Sequence, residues 1–303
     1  MSLYPTNKHL TDYPWIHPSF PFHVSINEVV RHFPPHRHDF LEFSLVIGGC
    51  GVEIINGVRH SLKPGTATFL LPYQVHELYV ESYEPLRLYN CMFDMELLYQ
   101  SLEVGPGLKE LLTGEELSAQ VHLNEQQTAL LAGAFEDMLS EYAGGEVWRM
   151  TLLKLKLLES LARFDRMRRK AGEHQVWPPS GNGKKSVWPI IHHIHAHYRE
   201  PLTLSSVAEL FAISSSYLSE EIKRHTGAGF VRFLHEIRIR HACSLLSSTQ
   251  MPGIDIAIEV GFGSFKSFSR IFRELKAMTP GEYRKAHAFP PGGTVGGTTG
   301  DLI

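Results

Sequence analysis

The sequence predicts an α+β multidomain protein: an N-terminal β jelly-roll barrel with a helical extension, then a C-terminal all-α domain built on two helix pairs. Three observations predict it. Residues 22–90 break into short runs of β-branched and aromatic residues separated by turn signals, as in sandwiches and barrels. From about Met95 the apolar spacing becomes helical and stays so. Between Ala171 and Ser186 all periodicity stops in AGEHQVWPPSGNGKKS, which reads as a linker.

The start, MSLYPTNKHLTDYPW, has no positively charged stretch followed by an apolar core. A secretory leader is therefore not expected, and a cytoplasmic location is. No apolar run approaches the ~20 residues that span a bilayer, so no membrane partner is expected. The cysteines Cys50, Cys91 and Cys243 are three and never spaced C-x-x-C. That fits a reducing compartment and argues against a disulfide framework or a Cys-rich zinc site.

The strand runs are FHVSINEV, LEFSLVIGG, GVEIING, ATFLLP, VHELYV and LRLYNCMF. Phe33-Pro34-Pro35, Gly48-Gly49, Asn56-Gly57 and Lys63-Pro64-Gly65 read as the turns between them. Asn56-Gly57 is a hairpin signal, because both residues tolerate the positive φ of a type I′ turn. Residues 1–110 are assigned to the barrel and 111–170 to the helical extension. The long amphipathic stretches 126–143 and 147–170 could pack on the barrel or pair with a second copy, and a homodimer is expected.

His36-Arg37-His38-Asp39-Phe40-Leu41-Glu42, with Gly49 beyond, has the spacing H-x-H-x₃-E-x₆-G. On one strand the even spacings would put His36, His38 and Glu42 on the same face. Pro64-Gly65 then precedes Leu71-Pro72-Tyr73-Gln74-Val75-His76. A second histidine run, His192-His193, His195 and His197, reads as the surface face of a helix.

After the linker, residues 187–287 form the second domain and 288–303, Gly- and Thr-rich, a disordered tail. Pro189 marks a helix start through about Tyr198. Ser205–Phe211 and Ser215–Thr226 form one helix pair, and a helix from Phe230 to Ser247 leads to another. In that second pair Ile254, Ala257, Ile258 and Val260 make an apolar face, and Gly261-Phe262-Gly263 breaks the helix. Ser264 then caps a helix whose core face is Phe268, Ile271, Phe272 and Leu275. Lys266, Ser269, Arg270 and Arg273 fall on its outer face. A short helix, a tight turn and a second helix with a basic outer stripe is the helix-turn-helix pattern, whose second helix enters the major groove. Charge agrees: Lys184 to Phe289 hold 14 Lys+Arg against 9 Asp+Glu, whereas residues 1–183 hold 15 against 22.

The string I-x-x-I-A-x-x-x-G-F-x-S-x-x-x-F-S-R-x-F, followed by TPGEYR, resembles the arabinose-regulator (AraC/XylS) family of transcription factors. LTLSSVAELFAISSSYLSEEIKRHTG resembles the first helix-turn-helix of that family. Ala277 stands where the family usually has Gly, and would be mildly strained if that position needs a positive φ. The resemblance implies double-stranded DNA as partner, with RNA polymerase as a further candidate. It places base contacts at Ser216, Ser219 and Glu220, and at Phe265, Lys266, Ser269 and Arg270. Lys223, Arg224, Lys266 and Arg273 suit phosphates, which take most protein–DNA hydrogen bonds. Glu220 departs from the basic or amide residue that many members carry, so it reads either as an acceptor for cytosine N4 or as a solvated charge.

The two histidine-bearing stretches resemble the motifs of cupin barrels, with Gln74 where enzymes of that fold usually have Gly. The resemblance implies that His36, His38, Glu42 and His76 hold a small effector, a sugar or similar polar metabolite. The same residue types form a 3-His-1-carboxylate set suited to Zn, Mn, Fe or Ni, although no cofactor is required. The reading favoured by these features is a ligand-responsive, sequence-specific DNA-binding regulator without enzymatic activity. A metal-dependent cupin enzyme with an accessory DNA-binding domain, and a DNA-binding protein with a vestigial barrel, stay open as alternatives.

Overall fold

The computed structural model describes residues 5–13, 16–17, 20–99, 106–113, 117–172 and 187–287. The chain forms two compact units, the first holding the described residues 21–172 and the second those from 187 to 287. The expected linker beyond Gly172 and the tail from 288 lie outside the described residues.

The first unit is a pair of five-stranded sheets. One runs β1 (Thr6–Lys8), β3 (His32–His38), β8 (His76–Val80), β5 (Gly51–Ile55), β6 (Val58–Leu62). The other runs β10 (Gln120–His122), β7 (Thr66–Leu70), β4 (Leu41–Gly48), β9 (Leu86–Phe93), β2 (Phe22–Val29). Asn56 and Gly57 have φ of 50° and 83°, the left-handed pair that joins β5 to β6 and sets Ile55 opposite Val58.

Two strand expectations are corrected, and one strand is new. Phe33-Pro34-Pro35 is not a turn but lies inside β3, where the register with β8 shifts between Phe33 and His36. Prolines fit there because β1 pairs only from His36 onward and the irregularity relieves the missing N–H donors. The helical run after Met95 is interrupted by β10, three residues whose Val121 is buried at the sheet edge. The N-terminal β1, too short to show alternation, pairs in parallel with β3 and sets Thr6 opposite His36 and Lys8 opposite His38.

Helices α1 (Met95–Tyr99), α2 (Pro106–Thr113), α3 (Glu125–Ala143) and α4 (Arg149–Gly172) complete this unit. Asn124 caps α3 by accepting from Gln127 N, and Gln127 returns the bond. α3 and α4 cover the outer face of β4. Phe43 lies between Phe135, at 5.2 Å and stacked, and Phe164, at 5.3 Å and edge-on. Strand alternation therefore turns Leu41, Phe43 and Leu45 toward the helices and Glu42 toward the barrel interior.

The second unit is helical: α5 (Trp188–Ala196), α6 (Leu204–Leu210), α7 (Ser215–Thr226), α8 (Phe230–Ser248), α9 (Gly253–Glu259), α10 (Phe265–Lys276) and α11 (Pro280–His287). α5 ends two residues short of Tyr198 because His197 leaves helical geometry. α7 and α10 are built alike, each 12 residues long. Ser214 caps one and Ser264 the other, and both end in a left-handed residue, Gly227 and Ala277. Ala277 has φ 56°, so the position does require the conformation that glycine adopts freely. The apolar face of α9 is corrected: Ile256, Ala257 and Val260 are buried, while Ile254 and Ile258 point outward at 55% and 66% exposure. His195 is also corrected from surface to core, since it is buried against Phe233.

Candidate functional site

The histidines and Glu42 converge inside the barrel, though not along a single strand. His36 and His38 come from β3, and the chain turns at Asp39-Phe40, so Glu42 comes from β4 in the opposite sheet. His76 opens β8 and stands opposite His36 in the ladder. Ring centroids of His36 and His76 are 4.0 Å apart, and those of His38 and His76 are 5.2 Å apart. Ligand atoms of His38, Glu42 and His76 all lie within 4.8 Å of one another. His36 stands beside this group without belonging to it.

Each ring is oriented by a bond on its Nδ1. His36 Nδ1 donates to Pro34 O at 2.9 Å, and His38 Nδ1 to Phe40 O at 2.8 Å. A carbonyl can only accept, so both Nδ1 atoms carry the proton and both Nε2 atoms keep a lone pair. His76 Nδ1 is 3.0 Å from Glu53 Oε1, a carboxylate that is itself 4% exposed. Gln120 Nε2 donates to Thr68 Oγ1 at 3.1 Å, which leaves the Thr68 hydroxyl to donate to Glu53. Glu53 thus accepts twice, and His76 Nε2 faces the interior as a lone pair.

Among the described residues, His38 Nε2, His76 Nε2 and Asn90 Oδ1 are buried acceptors without a hydrogen-bond donor. Glu42 Oε2 lies 3.3 Å from His38 Nε2, within ion-pair distance, without forming a hydrogen bond to it. Burial, then the neighbouring Glu53, pushes the Glu42 carboxyl up to about 8. Burial raises Glu53 to about 7, against the Thr68 bond that lowers it. The histidines move the other way. Burial, then His76, takes His38 down to about 3, and burial with Lys8 takes His76 down to about 3. His36 falls furthest, through burial and the two neighbouring rings. The result is a neutral, lone-pair-rich interior whose carboxylate retains its proton well above the ordinary carboxylate range. Such a site accepts hydrogen-bond donors or a cation. Lys8, on β1 opposite His38, is the nearby positive charge, with its Nζ 4.3 Å from the Phe33 ring centre.

Glu53, Thr68, Asn90, Gln120 and Lys8 are absent from the sequence expectations. Glu53 had a signal, a lone carboxylate within the apolar strand GVEII, whereas the others look like ordinary strand residues. Gln74, the departure from the cupin pattern, shapes the chain locally. Its Oε1 accepts from Leu71 N at 2.8 Å and closes the loop before β8. Tyr73, with φ 66°, takes the left-handed turn.

In the second unit, α7 buries Leu218 and Ile222 and α10 buries Phe268, Ile271 and Phe272, which fixes the outward faces. Ser216, Glu220, Lys223 and Arg224 are exposed on α7, with Ser219 half-buried beside them. Phe265, Lys266, Arg270 and Arg273 are exposed on α10, with Ser269 half-buried. Arg224 is tied to the buried Glu221, which also holds His225 at 3.4 Å. Arg270 lies 3.6 Å from Glu274, a loose surface pair that DNA can replace.

A barrel with an inward polar cluster, followed by two helix-turn-helices, defines a sensor joined to a DNA reader. The family described as AraC-like ligand binding domain matches residues 27–152, and the family described as helix-turn-helix domain matches residues 207–286. The chain belongs to the AraC family and is a ligand-responsive, sequence-specific DNA-binding transcriptional regulator. Its relatives include the HTH-type transcriptional activator RhaS of Salmonella schwarzengrund (strain CVM19633), 28% identical over 84% of this chain and 88% of the relative. RhaS of Enterobacter sp. (strain 638) is 26% identical over the same shares. Among solved structures, ToxT from Vibrio cholerae aligns over 87% of this chain and 98% of its own, with 15% identity and TM-score 0.41. No helix among the described residues is long and apolar enough to cross a membrane.

Proposed function

We propose that the barrel of this regulator binds a small polyhydroxylated metabolite of the sugar class through His36, His38, Glu42 and His76. One observation carries the reading: His38 Nε2, His76 Nε2 and Asn90 Oδ1 are buried acceptors without a hydrogen-bond partner among the described residues, and the single Glu42 proton can serve only one of them. Leaving such atoms unpaired is costly, and a ligand carrying several hydroxyls supplies the missing protons together. A carboxylate or fatty-acid anion would instead set lone pairs against lone pairs.

A divalent metal suits the same atoms. His38, Glu42 and His76 would hold it through two Nε2 atoms and a carboxylate oxygen, and the Glu53 bond to His76 is the kind of outer partner that metal-bound histidines have. When bound, the ion would supply a Lewis-acidic grip on ligand oxygens. The histidines are already neutral, so only the Glu42 proton must leave.

The barrel senses rather than turns over its ligand, a reading supported by relatives that are named as transcriptional regulators. The relatives are named transcriptional activators, which supports activation as this protein's mode of action, with the cytoplasm as its location and RNA polymerase as its partner in our reading. It works as a homodimer. Leu130 on α3 and Leu152 and Leu155 on α4 are 44%, 38% and 57% exposed, apolar area that a second copy would cover. Effector and DNA then alter each other's affinity by the same factor.

The test is a thermal-shift screen of the full chain against sugars and small hydroxy acids, with and without Zn²⁺ or Mn²⁺, repeated on His76→Ala. A sugar or polyol that raises the melting temperature of wild type but not of the variant supports the proposal. Stabilisation by fatty acids alone, or by none of these compounds, contradicts it.

A further inference from the structure

The turn Tyr198–Glu200 joins α5 to the first helix-turn-helix, yet its surroundings belong to the second. Arg238, in the middle of α8 and 7% exposed, donates from Nε to Tyr198 O at 2.8 Å and from Nη2 to Glu200 O at 2.7 Å. The same guanidinium lies 5.7 Å from the ring centre of Phe262, in the turn between α9 and α10. Tyr198 stacks on His241 of α8, with centroids 4.0 Å apart and planes 8° from parallel. Arg199 Nη1 pairs with Glu259 of α9 at 2.8 Å. Gly261 takes φ +89°, and a Cβ there would stand 2.6 Å from Arg199 O.

We propose that this turn is a second tie between the two helix-turn-helices, and that it sets the half-site spacing the protein accepts. α8 carries both reading helices, since α7 and α10 each pack on it. One shared helix leaves each head a rocking motion about its own packing seam. A second attachment, from the entry of the first pair to the turn of the second, removes that freedom.

Arg238 is a positioning residue in this arrangement, because it holds two main-chain carbonyls with one planar fork and lies in the protein interior. Lysine offers a point charge and cannot reproduce the fork. Gly261 contributes by absence of a side chain, which lets the Arg199 carbonyl approach. α5 is also the first described element after the segment that joins the two units.

The experiment uses the full chain and an operator obtained by selection from random duplex. Base pairs are inserted or removed one at a time between the two selected blocks, and Kd is measured for each duplex. Wild type is expected to prefer its selected spacing over a one-base-pair change by ~10-fold or more, since two docked heads are matched to the helical repeat. In Arg238→Lys the preference falls to ~3-fold or less, while affinity for the best duplex changes less than the preference does. Gly261→Ala, which pushes on the tie without touching Arg238, relaxes the preference in the same direction and decides the matter should the Arg238 variant fail to fold. Wild-type spacing preference in a folded variant, or equal loss of affinity at every spacing, overturns the proposal.

Discussion

His76 Nδ1 stands 3.0 Å from Glu53 Oε1 in the barrel interior, and this pair decides which nitrogen His76 offers to a ligand. With Glu53 accepting, Nδ1 holds the proton and Nε2 faces Glu42 and His38. Glu53→Gln keeps the shape and removes the charge, so Nε2 becomes a weaker base. The expected result is ~10–100-fold weaker Zn²⁺ binding by competition with a chelating dye, with the melting temperature little changed. Wild-type affinity in the variant would reduce the pair to a structural role.

The barrel groups also predict a stability maximum near neutrality in chelator-treated protein. His38 and His76 titrate lower folded than unfolded, near 3 against 6.5, so their contribution is full above 6.5 and is lost as pH falls toward 3. Glu42 titrates higher folded, near 8 against 4.5, so its contribution is full below 4.5 and is lost as pH rises through 8. Hydrogen exchange of the β4 and β8 amides reads this directly. Glu42→Gln should flatten the decline above pH 6.5 and steepen the rise between pH 4.5 and 6.5, where Glu42 and the histidines oppose one another. An alkaline decline of wild-type steepness in the variant assigns it to other groups.

On the DNA side, Arg270 is exposed on α10 and held only loosely by Glu274. Arg270→Ala should weaken binding to the selected operator by ~1–3 kcal/mol and binding to random duplex by less. Equal losses on both duplexes would assign Arg270 to a phosphate.

At the end of the same helix Ala277 occupies a left-handed position, φ 56° and ψ 14°. Glycine reaches that conformation without the steric cost that alanine bears, and its greater freedom in the unfolded chain offsets part of the gain. Ala277→Gly should raise stability by ~0.5–1 kcal/mol in urea unfolding. A loss would mean that the helix end tolerates alanine without strain.

Much of the architecture was legible because local signals agreed with the final packing. FHVSINEV is β2 from end to end, Asn56-Gly57 makes its hairpin, and Ser264 caps the second reading helix. What was not legible depends on partners distant in sequence. β1 and β10, three residues each, exist only because β3 and β7 offer them an edge. Ile254 and Ile258 show helical spacing, but spacing does not say which of two apolar faces turns inward on α9. In the barrel, spacing grouped His36, His38 and Glu42, the resemblance to cupin motifs added His76, and the four come together across two sheets rather than along one strand. Glu53 was missed because its meaning lies in the ladder that sets β5 beside β8.

The central claim is that α7 and α10, borne on one connecting helix, read two consecutive major grooves on one side of the duplex. Hydroxyl-radical footprinting of the full chain on its selected operator tests it most directly. The account predicts two protected patches about one helical turn apart, ~34 Å centre to centre, with protection lost on scrambled duplex at moderate salt. A single protected groove, or equal protection of operator and scrambled duplex, would contradict it.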